Sequence, residues 1–453
     1  MSEPLVVISQ PVVSYLRVRR MVHPYEVEHQ DTYEKNQYPP QPHSGVVTVV
    51  TTSILSETEP TTTLPPPRQQ IHVENPVDQS SSSFHVDTIF NSAVPRKDKS
   101  YASQEVVFDT VGTKLLDDLM NGYNSSLVCF GPEGSGKTYT LFGPKAIDGS
   151  PTLPISTNTG LVPRFCQQLF QRISTAMKAN NDDCTIEFLV EFSAYEIRSE
   201  QVYDLLNPAD YDVQVPCVLH EHPKIGMHVQ NLVCMACTND QQLAEAVEAA
   251  RASLAMTNLF RGTIGSHDHA VYQFTVTKKV DDNGGRSVGS STNNSSSSSK
   301  NNAEGKFEGK REESKQDERK TKSSATAITS TSTFRDPTNI HGFVVHATFI
   351  DLASCCDRSL ALLDSRSDQL RSNFQMHTSH NSLLTCVNLL SEHTQKRKTV
   401  PYYTSTLTSL LQKHAGPLGG DNRSYVLGCC GKHCCLFACL LVCLFACLLV
   451  CLF

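Results

Sequence analysis

The chain has 453 residues, a formal net charge of −7 and no Trp. With a pI near 6.2 it lacks the basic excess of a general nucleic-acid binder, so nucleic acid is not an expected partner. Of its 17 cysteines, Cys429, Cys430, Cys434, Cys435, Cys439, Cys443, Cys447 and Cys451 crowd the C-terminus. The others are scattered, which fits a reducing cytosol better than a disulfide framework. Met1–Gln10 has neither the basic start nor the apolar stretch of a secretory leader, and none is expected.

Residues 1–39 form an N-terminal segment in which 5–20 read as one or two β-branched strands ending in a basic cluster. Residues 40–83 are rich in Pro, Ser and Thr and are expected to be a disordered insert. Structure is expected to resume at Phe84, where FHVDTIF alternates like a half-buried strand, and to continue to residue 280. Within that stretch Val107, Val111, Leu115, Leu116 and Leu119 give helical spacing over 104–121, followed by a strand at Ser126–Phe130. The pattern then predicts a helix over 162–178, strands over 185–193 and 227–233, a helix over 240–256 and a strand over 270–279.

Residues 281–338, mostly Ser, Asn, Lys and Glu, are too polar to offset ordering entropy and read as a second disordered insert. Residues 339–430 resume with a strand over 343–352 and helices around 380–392 and 404–414. Subtracting the biased stretches leaves roughly 330 residues, enough for one large core or two modest ones. Strands interleaved with helices over this length predict an α/β fold with a covered central sheet.

Gly131, Pro132, Glu133, Gly134, Ser135, Gly136, Lys137 and Thr138 fit the pattern G-x-x-x-x-G-K-[ST], followed by Tyr139. In that pattern the backbone N–H groups curl around a phosphate, the Lys reaches the terminal phosphates and the Thr hydroxyl can hold Mg²⁺. The preceding apolar strand and the following helix-compatible run supply the required context, and the helix N-terminus adds partial positive charge. ATP or ADP with Mg²⁺ is therefore the expected ligand.

Gly122-Tyr-Asn124 together with GPEGSGKTYTLFG resembles the kinesin motor signature. Further blocks resemble the same family in its order: Phe84–Phe90, Gln104–Phe108, Gly160–Arg164, Glu191–Pro208, His222–Leu232 and Lys398–Gln412. The resemblance implies the P-loop NTPase kinesin-motor fold, a central sheet flanked by helices on both faces. It further implies microtubules as partner, a cytoplasmic and cytoskeletal location, and microtubule-based movement driven by ATP.

Several positions depart from the family. Arg17-Val18-Arg19-Arg20 resembles its RVRP turn against the adenine, with Arg20 in place of Pro; Arg17 and Arg19 are the expected base contacts. In the switch I block, Gly265–His269, Ser266 falls at the Mg²⁺-linked Ser and His267 replaces the family's Arg. In the switch II block, Asp351 ends an apolar strand as a metal-side Asp should, Ser354 replaces a Gly, and Cys356 replaces the Glu that relays a proton. Ser266, Asp351 and Ser354 are thus degenerate catalytic positions, and hydrolysis is expected to be weakened. On the microtubule side, Tyr403, Thr404, Ser405, Thr406 and Ser409 stand where the family carries cations, while Lys396-Arg397-Lys398 keeps a basic loop.

His220, His222 and His228 precede Cys234-x-x-Cys237, residue types that could bind zinc. Their irregular spacing, and the alternation of a strand, favour incidental residues. Residues 431–453 carry CLFACLLV at Cys435–Val442 and again at Cys443–Val450. The apolar run could span a bilayer as a helix, but its exact repetition favours a repeat-derived tail over a membrane anchor. Two functions are carried forward: a microtubule motor domain with weak turnover, and a scaffold that uses the motor fold to bind microtubules or other partners without hydrolysis.

Overall fold

Apolar side chains alternate along most of the central strands, and both sets are buried, so the sheet they form must be covered on each face. The computed structural model describes residues 13–19, 44–50, 69–74, 81–144, 155–178, 184–207, 215–222, 226–260, 268–282, 342–354, 378–386, 389, 400–412, 422–431 and 433–435.

In chain order the strands are β1 (Val13–Arg19), β2 (Ser44–Val50), β3 (Gln69–Glu74), β4 (Ser81–Val86), β5 (Thr88–Ser92), β6 (Asn124–Phe130), β7 (Cys184–Arg198) and β8 (Gln201–Asp204). They continue as β9 (Leu219–His222), β10 (Gly226–Val229), β11 (Met235–Cys237), β12 (His269–Asp282), β13 (Phe343–Asp351), β14 (Asn422–Gly431) and β15 (His433–Cys435). The helices are α1 (Gln104–Val107), α2 (Thr113–Met120), α3 (Lys137–Phe142), α4 (Leu161–Lys178), α5 (Asp240–Phe260), α6 (378–386) and α7 (Thr406–Leu410). A π-helical turn, Phe108–Gly112, joins α1 to α2, so the single helix expected over 104–121 is one run with a wide turn inside it.

The main sheet runs β11-β7-β12-β13-β6-β14-β1-β5, with β8 hairpinned onto β7. Its centre, β13-β6-β14-β1, is parallel, and β7, β12 and β13 pair antiparallel. One face buries Leu127, Cys129, Phe192, Phe274, Phe349 and Leu427 with Leu115, Leu119, Phe165, Leu243 and Val247 from α2, α4 and α5. The other buries Val128, Phe130, Ile197, Ile350 and Val426 with Leu383 of α6 and Leu407 of α7. Helices therefore cover both faces, as expected.

The stretch 40–83 requires a correction. β2 and β3 pair antiparallel within it, β3 pairs with β4, and β15 pairs along the other edge of β2. Its Pro-rich centre hides two flanking β-branched runs, SGVVTVV and QQIHVE. Ile71 and Val73 of the second run are fully buried in the core. The strand expected at Phe84–Phe90 is two strands broken at Asp87: β4 belongs to this small sheet and β5 to the main one. Ser14 Oγ and its N–H both donate to the Asp87 carboxylate (3.0 and 2.7 Å), which pins the break. Of the insert expected over 281–338, Asp281 and Asp282 end β12, while the rest and the repeats beyond Cys435 lie outside the described residues. Among the described residues no helix is long and apolar enough to cross a membrane.

Candidate nucleotide site

β6 ends at Phe130 and the chain turns through Gly131–Gly136 into α3. Gly131 (φ 149°) passes so close to β14 that a β-carbon would meet the carbonyl of Cys429, and Gly136 (φ 91°) is left-handed under the Arg19 guanidinium. These two positions require glycine. Ser135 Oγ donates to the Pro132 carbonyl at 2.8 Å and closes the loop from within.

Lys137 and Thr138, the first residues of α3, diverge in environment. The Lys137 ammonium is buried and donates to the carbonyls of Gly131 (2.9 Å) and Pro132 (3.0 Å) and to Ser354 Oγ (3.3 Å). Thr138 is exposed, and its hydroxyl donates to Asp351 Oδ2 at 2.6 Å. Asp351 is the last residue of β13, beside Cys129 of β6, so parallel pairing delivers it to the mouth of the loop. Burial raises its carboxyl above the ordinary value, against the lowering effects of Lys137, the Thr138 bond and Arg251. Its Oδ1 is buried without a hydrogen-bond partner among the described residues.

That orphaned oxygen is a test of fit for Mg²⁺. A hard cation that keeps several waters needs one or two protein oxygens beside phosphate oxygens. A threonine hydroxyl facing outward and a carboxylate with a spare oxygen provide that donor set. Ser266, the other expected ligand, lies outside the described residues, as do Arg20, His267 and Cys356. Among the described residues no group of three or more His, Cys, Asp or Glu could hold a metal, and His220, His228, Cys234 and Cys237 form none.

Of the two expected base contacts, Arg17 is committed elsewhere. Its buried guanidinium donates from Nε to Ser92 Oγ (3.0 Å) and through one terminal nitrogen to Gln104 Oε1 (2.6 Å) and Thr140 Oγ1 (2.9 Å). Burial, and next Arg19, push its pKa down to about 10. Arg17 thus braces α3 from below against β5 and α1. Arg19 instead lies over the Tyr139 ring, 4.0 Å from its centroid, where a cation and an aromatic face offer a stacking surface.

The expected switch II block is held at Ala353 by His269 together with Ser379 and His380, two residues that the sequence does not single out. The Ala353 N–H donates to His269 Nδ1 at 3.1 Å, and the Ala353 carbonyl lies 3.2 Å from His380 Nε2. Because Nδ1 of His269 accepts, its proton is on Nε2, which donates to Ser379 Oγ at 2.9 Å. Burial holds His269 well below the ordinary histidine value, so it stays neutral. The start of β12, the end of β13 and α6 are joined through one residue, Ala353, next to Ser354. A His at position 269 matched the family block, but nothing in the pattern of α6 marked Ser379 or His380.

On the expected microtubule side, the polar groups of α7 and of the turn before it are closed within the fold. Ser405 caps the helix and shares a capping box with Thr408. Thr406 N–H donates to Glu200 Oε2 (2.5 Å) and its hydroxyl to the Glu200 carbonyl (2.8 Å). Glu200 sits with Ser199 in the two-residue turn between β7 and β8, both at positive φ (63° and 48°). Tyr403 is exposed and donates to Glu221 at 3.0 Å. Lys396, Arg397 and Lys398 lie outside the described residues.

A parallel-centred sheet with a Gly-rich loop leading into a helix, and a strand-end Asp beside it, defines a P-loop nucleotide-binding fold. The kinesin motor domain profile matches residues 47–300. The chain belongs to the kinesin motor domain family. It is 30% identical over 215 residues to the human kinesin-like protein KIF1B, covering 47% of this chain and 11% of that protein. It is 30% identical over 204 residues to the kinesin-like protein unc-104 of Caenorhabditis elegans (45% and 12%) and 33% identical over 204 residues to StAR-related lipid transfer protein 9 of Mus musculus (44% and 4%). The matched region thus spans about a tenth or less of these relatives. Among solved structures, a fast kinesin superposes with a TM-score of 0.62 at 19% identity, covering 97% of this chain and 91% of that one. A KIF14 dimer with AMP-PNP in complex with a microtubule also gives 0.62, at 21% identity, covering 97% and 94%.

Proposed function

We propose that this domain binds ATP or ADP with Mg²⁺, associates with microtubules as a cytoskeletal, cytoplasmic motor-type domain, and hydrolyses ATP slowly. The observation that carries the reading is the Lys137–Thr138–Asp351 constellation with its unpartnered carboxylate oxygen. When bound, Mg²⁺ would be held through Thr138, Asp351 and Ser266 and would neutralise charge on the phosphates. The residues of the chain do the rest. Gly131–Gly136 present backbone N–H groups to phosphate, Lys137 exchanges the loop carbonyls for phosphate oxygens, and Arg19 with Tyr139 flanks the base. Slow turnover follows from Ser354 and Cys356. A β-carbon at 354 crowds the approach to the terminal phosphate, and a thiol at 356 lacks the acid–base capacity of Glu, worth on the order of 10²–10⁴ in rate.

One observation favours a second reading, a non-hydrolysing scaffold. Ser354 Oγ holds the Lys137 ammonium at 3.3 Å, so the residue that replaces glycine also retains the phosphate-binding cation. Microtubule-stimulated phosphate release separates the two. The motor reading expects stimulation above the basal rate that Lys137→Ala abolishes. A rate at the basal level, reduced no further by Lys137→Ala, leaves the scaffold. Ser354→Gly, which releases one hydrogen bond of about 1 kcal/mol, is expected to raise triphosphate affinity roughly fivefold.

A further inference from the structure

We propose that Gln104, the first residue of α1, is the positioning residue for the base half of the nucleotide site: it fixes the Tyr139 shelf and so sets how tightly the base is held, without serving the phosphates. The proposal rests on the reading that Arg19 and Tyr139 flank the base.

α3 carries both halves of the site on successive residues. Lys137 and Thr138 serve the phosphate side, and Tyr139, the next residue, packs its ring under Arg19. Gln104 reaches this tyrosine from a separate segment. It is 3% exposed, and its amide is bonded at both ends. Oε1 accepts from Arg17 (2.6 Å), while Nε2 donates to the carbonyls of Tyr139 (2.7 Å) and Asn158 (3.3 Å). A guanidinium only donates, so the amide oxygen must face Arg17 and the nitrogen must face α3. Both hydrogens of that nitrogen have an acceptor, and a buried amide bonded in this way has one orientation.

Asn158 carries the hold to the other end of the same tyrosine. Its Oδ1 lies 3.5 Å from the Tyr139 hydroxyl and accepts from Arg96 at 3.2 Å. Its backbone is pressed against the end of α3, since a β-carbon on Gly143 would stand 2.6 Å from the Asn158 carbonyl oxygen. Gln104 therefore fixes Tyr139 directly at its carbonyl, and at its ring edge through Asn158. The phosphate side has a brace of its own: the same Arg17 nitrogen bonds Thr140 Oγ1 (2.9 Å), which donates to the Gly136 carbonyl (2.8 Å). Losing Gln104 leaves that brace standing. Stacking depends on ring orientation, and a ring released at both ends is free to visit other rotamers.

The test compares ADP with pyrophosphate, both in Mg²⁺, by calorimetric titration of the full chain as wild type, Gln104→Glu and Asn158→Ala. Pyrophosphate has no base, so the ratio of the two affinities isolates what the nucleoside adds. Gln104→Glu keeps an acceptor for Arg17 but loses both donors toward Tyr139 and Asn158. It is expected to weaken ADP about tenfold and to leave pyrophosphate within twofold. Asn158→Ala, on a half-buried loop residue that spares the core, is expected to lower the same ratio by a smaller factor. A second readout is independent of affinity: 2-aminopurine riboside diphosphate, whose base fluorescence is quenched by stacking, is expected to be brighter at saturation on either variant than on wild type. Pyrophosphate weakening in step with ADP, or a ratio unchanged in both variants, overturns the proposal while leaving the base shelf in place. A wild-type protein that prefers ADP no more than pyrophosphate refutes the shelf itself, and the proposal falls with it.

Discussion

The nucleotide loop and the α7 region are both capped by side chains of distant segments, yet they have diverged in opposite ways. At the loop the charges remain: Lys137, Asp351 and Arg19 are all present, and one carboxylate oxygen is left without a partner. At α7 the expected cations have become Tyr403, Thr404, Ser405, Thr406 and Ser409, and all five hydroxyls are used in hydrogen bonds. The first region leaves a buried charged oxygen open. In the second the hydroxyls are closed, although Gln412 Oε1 just beyond α7 is buried without a partner among the described residues. Charge left unsatisfied marks a surface able to receive something, whereas hydroxyls closed upon neighbouring protein groups mark one built to hold its shape.

The largest effect is expected where the incompleteness is greatest. Thr138→Val removes the hydroxyl that meets Asp351 and leaves a second oxygen of a buried carboxylate without its bond. Hydrogen bonds to charged groups are worth about 1.5–3 kcal/mol, so nucleotide affinity in Mg²⁺ is expected to fall roughly 10–100-fold. Titration of a fluorescent ADP analogue with and without a chelator checks this. The variant should show the chelated affinity under both conditions; a retained Mg²⁺ response would mean the Thr138–Asp351 pair is not the cation's seat.

The closed region is broken from Glu200. Glu200→Ala removes the carboxylate that caps Thr406, and an N-terminal cap of this kind is worth about 1–2 kcal/mol. The unfolding free energy from urea melts is expected to fall by that amount, while nucleotide affinity stays within twofold. If nucleotide affinity moved with stability, the two regions would not be separable.

How much of this was legible in the sequence follows the same division. The loop, its lysine and Asp351 were readable because contiguous residues and one strand end specify them. The fold was readable because β6, β7, β12 and β13 are long alternating or apolar runs. β2 and β3 were not, since a Pro-rich centre dominates the composition around two short runs, and it is their pairing, with Ile71 and Val73 of β3 buried, that reveals them. Arg17 was misjudged for a related reason: its neighbours Ser92, Gln104 and Thr140 are 75, 87 and 123 residues away. The bond between Glu200 and Thr406 spans 206 residues, and no local pattern announces it.

The sheet joining the two regions offers an internal control. His346 lies on β13, where Nδ1 meets Gln273 Nε2 (3.1 Å) and Thr275 Oγ1 (3.0 Å), and burial pushes its pKa down to about 4. The folded state therefore binds fewer protons than the unfolded state between pH 6.5 and 4. The stability this group contributes is present above its unfolded value and is lost as pH falls toward 4. From pH 7 to 5 that amounts to about 1–2 kcal/mol for one histidine. His346→Gln, which keeps a polar partner for Gln273 and Thr275, is expected to flatten the pH dependence of the unfolding free energy, read from urea melts, by that amount. Because β13 serves both regions, the flattening should accompany Thr138→Val and Glu200→Ala backgrounds equally.

The smallest effect is expected at the turn that presents Glu200. Ser199 and Glu200 occupy left-handed backbone at φ 48° and 63°, the geometry of a two-residue hairpin turn for which Asn and Gly are the favoured residues. Arg198 pairs with Gln201 across it, so the turn fixes the register of β8 and with it the position of the Glu200 carboxylate. An ordinary side chain in this region costs about 1–2 kcal/mol, and Asn recovers only part of that. Ser199→Asn should therefore raise the unfolding free energy from urea melts by less than about 1 kcal/mol, with the α7 cap intact. In the Glu200→Ala background the same substitution should give the same gain, because the turn's strain and the cap's bond are separate terms. A larger gain in the capped protein would show that the strained turn and α7 are coupled, and that the closed region is tensioned rather than merely complete.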